Sequence, residues 1–244
     1  SGIREAIRPI FSPILLTNFK RYADEFAEQY GQPLRQGTVM RACHVPEERL
    51  SIVDFGVGSP VAALIMELLS FVKPKAALML GMCGGLSRYH QVGDFFNPIA
   101  AIREEGTSNA YLPPQCPALP VFDVQRAVTR ELEDRNFKYH NGVIHTTNVR
   151  FWEFNEEFKA MLKRERVQTI DMECATLFTV GFARNVPVGA LMLISDLPLK
   201  EGGVKTKESA MALFRTHTEA HIEVGVAVLK RIQQREADGY VCTY

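Results

Sequence analysis

Glu173 and Asp196 each close a short run that reads as a buried strand, and a carboxyl group in that position can do acid–base or charge-stabilising chemistry. Glu173 ends Thr169-Ile170-Asp171-Met172-Glu173, and Asp196 follows Ser195 at the end of the apolar run from Val186 to Ile194. Between them Cys174 to Arg184 is apolar nearly all round, as in a helix sandwiched between layers. Parallel strands buried on both faces are near-continuous in Val, Ile and Leu rather than alternating. Ligands of open α/β sheets bind beyond the carboxyl ends of such strands. The two acids are therefore expected at the ends of parallel strands, sharing one ligand. An acid lifted toward neutrality by burial can protonate a leaving group, and an ionised carboxylate can offset positive charge in a transition state. The bland alternatives are a helix N-cap for Asp196 and a helix-dipole charge for Glu173.

Two glycine clusters come next. Gly56-Val57-Gly58-Ser59-Pro60 follows the strand Leu50–Phe55 and opens a helix from Val61 to Phe71. Its G-x-G lacks the third glycine of a dinucleotide fingerprint, where Val61 stands, and Pro60 removes an amide. Gly81-Met82-Cys83-Gly84-Gly85-Leu86 is expected as a turn after a strand Lys75–Leu80. Glycine lets backbone approach a ligand closely, and parallel neighbours would bring both turns to one edge. Arg21 lies in the first turn of a helix after the strand Ile14–Thr17, where amides and a basic side chain could hold an anion. A solvated Arg21 is the alternative. His217 and His221 in H-T-E-A-H do not reproduce the zinc-protease H-E-x-x-H, so a solvated helix face is expected there rather than a metal site.

The elements that must position these residues alternate along the chain. Asn18 to Glu28 reads as a helix with Asn18 as N-cap and Gly31 as its stop. Asp94–Ile102 is a strand that Pro98 must bulge or push to a sheet edge. Glu104 to Pro120 is a long loop of the kind that serves as a lid or partner contact. Helix Val121–Arg135, strand His140–Thr147 and a charged helix Glu153–Arg166 follow. A glycine-bearing basic loop, Lys200–Lys207, precedes one closing helix, Ser209–Arg235. Strand–helix alternation without repeats argues for one α/β domain over residues 14–244, after an arm of residues 1–13.

Composition narrows the partners. Twenty-eight basic and 28 acidic residues give zero formal charge, so nothing points to nucleic acid. No apolar run reaches membrane-spanning length, and there is no secretory leader pattern. Five scattered cysteines without C-x-x-C suit reduced thiols, and a cytoplasmic setting is expected. Ser1-Gly2 without an initiating Met points to a cloning remnant or to an upstream segment missing from the sequence.

G-V-G-S-P, L-G-M-C-G-G-L, D-M-E-C-A and I-S-D, in that order, resemble the nucleoside phosphorylase and nucleosidase superfamily. T-T-N-V-R-F-W-E, I-D-M-E-C-A-T, V-P-V-G-A-L and S-D-L-P-L are similar to its AMP-cleaving branch, as are Y-L-P-P-Q-C-P and V-Q-R-A. The resemblance implies a three-layer α/β/α domain around a mixed central sheet. It also implies hydrolysis of AMP to adenine and ribose 5-phosphate without metal or other cofactor. It gives Asp196 the role of acid to the purine, Glu173 that of holding the ribose, and Lys205 that of closing over the site, with an exposed loop lysine as the alternative for Lys205. Met172 would pack on the sugar, and Arg150, Phe151 and Trp152 lie where the family stacks an aromatic on the base; core packing is the alternative for Trp152. Val57, Gly58, Cys83, Gly84 and Ser195 fall in the substrate-lining motifs. Arg21, with Thr17 and Asn18 beside it, matches a phosphate-binding position.

The departures from the family carry information too. Phosphorylases place an Arg and a Ser or Thr for inorganic phosphate where this chain has Met79 and Met82, and neither offers a strong donor. Water is then the expected attacker. Methylthioadenosine nucleosidases end the first strand in an acid that activates water, where this chain has Thr17-Asn18. The remaining alternatives are a purine nucleoside phosphorylase, another nucleosidase, or a nucleotide-sensing module. Longer members carry an N-terminal regulatory domain for which this sequence has no counterpart, and the resemblance does not carry their regulation by phosphate or ATP over to it. The family also implies a homo-oligomer, a hexamer built as a trimer of dimers.

Overall fold

A computed structural model describes residues 13–200, 202–203, 207–239 and 241–244. Most of the 1–13 arm, and Lys205, lie outside them. Along the chain run β1 (Ile14–Thr17), α1 (Lys20–Tyr30), β2 (Arg35–Gln36), β3 (Arg41–Val45), β4 (Leu50–Asp54) and α2 (Ser59–Val72). Then come β5 (Ala77–Gly85), β6 (Phe95–Glu104), α3 (Phe122–Asp134), β7 (Tyr139–Thr147) and α4 (Glu156–Glu165). The chain closes with β8 (Thr169–Asp171), α5 (Cys174–Arg184), β9 (Val188–Asp196) and α6 (Lys207–Ala237).

The strands form one mixed sheet in the order β2-β3-β4-β1-β5-β8-β7-β6-β9, and β9 pairs back onto β5. One half of the sheet is thus open and the other closes into a five-strand ring. Alternate side chains separate two cores. Leu15, Leu78, Leu80, Leu191 and Leu193 pack toward α1, α3 and α6. Ile14, Leu16, Met79, Ala190, Met192 and Ile194 pack toward α2 and α5. That division of one strand between two helical layers produces the three-layer architecture and explains why these strands read as unbroken apolar runs.

Pro98 does bulge β6, where its register to β7 shifts, but β6 lies inside the sheet rather than at its edge. Gln125 of α3 makes this possible. Its Nε2 donates to Asn97 Oδ1 (2.6 Å), Pro98 O (2.8 Å) and Ala190 O (2.9 Å), while Oε1 accepts from Ala190 N (2.9 Å). One side chain satisfies the backbone groups left over where β6 and β9 diverge. His221 is not on a solvated face. It is fully buried, its Nδ1 accepting from Tyr22 Oη (2.9 Å) and its Nε2 donating to Leu191 O (2.9 Å), which ties α6 to α1 and β9. No helix among the described residues is long and apolar enough to cross a membrane.

Candidate active site

β5 is the floor of the site because its neighbours change along its length. β9 runs parallel along one edge, from Ala77↔Val188 to Gly84↔Asp196. The other edge is shared. β1 occupies its first half, ending at Thr17↔Leu80, and β8 its last residues, antiparallel, at Gly84↔Ile170 and Gly85↔Thr169. β1 and β8 therefore point their carboxyl ends at each other across a stretch of about 13 Å. Into this break enter Asn18 and Phe19 after β1, Asp171 at the end of β8 with Met172 and Glu173 after it, and Val57 after β4. They line one cavity with Met82, Cys83 and Gly84 of β5 and with Ser195 and Asp196 of β9. Glu173 and Asp196 meet there, but not on parallel strands: β8 opposes β5 while β9 follows it. The glycine cluster is strand rather than turn. A Cβ at Gly84 would stand 3.1 Å from Ile170 and 3.2 Å from Pro198, so glycine there relieves lateral crowding.

β8 stops at Asp171, two residues earlier than its apolar pattern suggests. The Asp171 carboxylate accepts from the N–H groups of Glu173 (3.2 Å) and Cys174 (2.8 Å), turning the chain into α5, and from Thr146 Oγ1 (2.6 Å). Asp171 thus does the capping, which leaves the Glu173 side chain for other work. Glu173 is 2% exposed, and its Oε1 accepts from the N–H of Gly58 (2.7 Å). Gly58 has φ 103°, a conformation that favours glycine, and this turns its amide toward the acid. Asn18 is not a helix cap, a position Phe19 holds; its side chain hydrogen-bonds Glu173. Burial, then the charge of Asp171, pushes the Glu173 carboxyl up to about 7, against the opposing pull of Gly58 and Asn18. Burial raises Asp171 as well. Asp171 draws four donors (Thr146 Oγ1, the Cys174 thiol, and the N–H groups of Cys174 and Glu173) and Glu173 three (Gly58 N–H, the Asn18 side chain and Met172 N–H), and the two carboxyls titrate as a coupled pair.

Asp196 is the last residue of β9 and half-buried. Ser195 Oγ donates to its Oδ1 (2.5 Å) and approaches Cys83 O (3.3 Å), fixing the pair over the β5 floor. Met172 and Arg150 line the cavity, and so does Trp152, which is mostly built into a small core with Ile170, Leu162 and Val167. Phe151, 74% exposed, lies outside the cavity. Arg21 is also outside, 49% exposed and 3.6 Å from Glu25, and Thr17 is buried in the sheet. Gly58 acts through its amide alone. Reading the sequence missed Asp171 and Glu153, both in the cavity wall. The signal for Asp171 was present, since an Asp just ahead of a helix is a residue type that caps its free N–H groups.

This chain belongs to the phosphorylase superfamily, whose family model matches residues 12–230. Within it, the chain is similar to the AMP nucleosidase of Bacteroides thetaiotaomicron VPI-5482, whose crystal structure superposes with a TM-score of 0.82. The two are 41% identical, covering 92% of this chain and 89% of that one. The AMP nucleosidase of Escherichia coli strain K12 is 31% identical over 189 residues, 74% of this chain but 39% of that protein. The chain therefore spans about two fifths of that relative's length. A guanosine phosphorylase from Halorubrum lacusprofundi is 31% identical over 160 residues, 66% of each chain.

Proposed function

We propose that this chain hydrolyses the N-glycosidic bond of AMP, releasing adenine and ribose 5-phosphate. The observation that carries this is the meeting of Glu173 and Asp196 in one cavity from opposite edges of β5. Asp196 protonates or hydrogen-bonds N7 of the departing purine as negative charge develops there. Glu173 holds the ribose hydroxyls and, as it ionises, offsets the oxocarbenium charge. Met172 packs on the sugar, and Lys205 has the closing role that the resemblance assigns to it. The C1′–N9 bond breaks as water adds to C1′; one water proton is lost to solvent and the base leaves protonated.

Water rather than phosphate is the attacker in this reading because Met82 lies in the cavity wall and Met79 is fully buried. Among the described residues lining the cavity, Arg150 is the sole cation. The similarity to both AMP nucleosidases supports the same choice. Assembly into a homo-oligomer belongs to this reading as well, supported by an exposed apolar stripe on α2 (Leu64, Leu68, Phe71) beside Phe182; light scattering tests it.

Incubation with AMP, adenosine and methylthioadenosine, each with and without phosphate, tests the activity. Adenine released from AMP without added phosphate is the expected result. Ribose 1-phosphate formed from adenosine only when phosphate is present would replace hydrolysis by phosphorolysis, and AMP bound without adenine release would make this a sensor.

A further inference from the structure

Glu153 lines this cavity and has no part in the mechanism above. Its side chain is 8% exposed, its Oε1 lies 3.7 Å from Nη1 of Arg150, and its Oε2 is buried without a hydrogen-bond partner. A buried carboxylate oxygen left unpaired is costly, and one in a cavity wall is available to a donor on a ligand. Arg150 is 57% exposed at the rim and engages only the other oxygen.

The position of Glu153 determines which part of a nucleotide it meets. Ile170 and Asp196 flank Gly84 on opposite edges of β5. Trp152 packs against Ile170, so the turn Trp152–Phe154 stands over the Gly84 end of the floor, with Asp196. Glu173 is held at the other end by Gly58 and Asn18. A nucleotide with its pentose on Glu173 and its purine on Asp196 turns the outer edge of the base toward Glu153.

We infer that Glu153 accepts a hydrogen bond from the exocyclic 6-amino group of the purine and so selects 6-aminopurines over 6-oxopurines. This rests on the reading that the cavity takes a purine nucleotide. An ionised carboxylate offers only lone pairs. A 6-amino group brings two N–H donors, one beside N7, where Asp196 acts, and one on the far side for Glu153. A 6-oxo group brings lone pairs against lone pairs.

The test is a titration with adenine, hypoxanthine and guanine, followed by the fluorescence of Trp152, the only tryptophan, alongside cleavage rates for AMP and IMP. The native protein should bind adenine about 10- to 100-fold tighter than hypoxanthine. Glu153→Gln, whose amide can donate to a 6-oxo group, should bring that ratio within about threefold, and Glu153→Ala should do the same. The ratio is read rather than absolute affinity, so partial loss of folded protein does not distort it. Equal binding of adenine and hypoxanthine by the native protein, or a ratio unchanged in both variants, overturns the assignment. So does a guanine preference lost in Glu153→Gln, which would put the carboxylate on the N1–H and 2-amino edge. The expected binding pattern without any AMP cleavage would instead sink the hydrolysis reading and leave this one standing.

Discussion

Replacing Glu173 with Gln should make the protein inactive and, above neutral pH, more stable. Glu173 is almost fully buried beside Asp171, and its carboxyl rises from 4.5 to about 7. At about 1.4 kcal/mol per pH unit, that rise corresponds to on the order of 3 kcal/mol. Asp171 is raised too, and the pair shares its protons, so about 1–3 kcal/mol is the working range. The folded value lies above the unfolded one. The stabilising contribution is therefore fully present below pH 4.5 and lost as pH rises through about 7. Gln carries no charge at any of these pH values, and its carbonyl can still accept from the Gly58 amide. Thermal melting of both proteins at pH 5 and pH 8 is the assay. At pH 8 Glu173→Gln should melt roughly 2–10 °C above the native protein, with the gap closing at pH 5. Turnover should fall about 100- to 1000-fold, since the neutral amide cannot offset the sugar's charge. A variant that melts at or below the native protein at pH 8, or a gap that ignores pH, would refute the reasoning.

Asp196→Asn should lower kcat on AMP about 100- to 1000-fold and shift AMP affinity less than about fivefold; equal losses in both would contradict an acid role. Gln125→Leu strands the Pro98 and Ala190 carbonyls and the Ala190 amide, and should cost about 2–4 kcal/mol in urea unfolding with AMP chemistry retained. His221→Phe leaves Leu191 O and the Tyr22 hydroxyl short of a partner, for about 1–3 kcal/mol at pH 7.5. Burial holds His221 down at about 4, so its contribution is present above pH 6.5 and lost as pH falls through about 4. The stability gap between native and His221→Phe should shrink over that range.

Much of the fold was legible because the strands feed two cores. Runs such as Val186–Ile194 and Leu50–Phe55 are apolar on both faces, and helix Cys174–Arg184 matched the structure end to end. The site was legible only as a set of residues. That Glu173 and Asp196 meet could be anticipated, but not that their strands run in opposite senses, because pairing direction is set by distant partners rather than by local pattern. Gly81–Gly85 reads as a turn in sequence because glycine marks both loops and crowded strands, and only the neighbours of β5 tell them apart. Asn18 reads as a cap because its type suits that role, and only the approach of β8 to the end of β1 shows that it serves Glu173 instead. Glu153 sits in a charged stretch that gives no hint of burial; a single turn of 3-10 helix rotates it inward.

The end-to-end meeting of β1 and β8 along β5 also bears on how such a cavity can diverge. Each of the two facing segments hangs from its own strand tip, and neither is joined to the other by backbone pairing. Residues after Thr17 and residues after Asp171 can therefore be exchanged or lengthened one side at a time, with the sheet beneath untouched. Nature and engineers alike could use that seam to trade one sugar or base preference for another at little risk to folding.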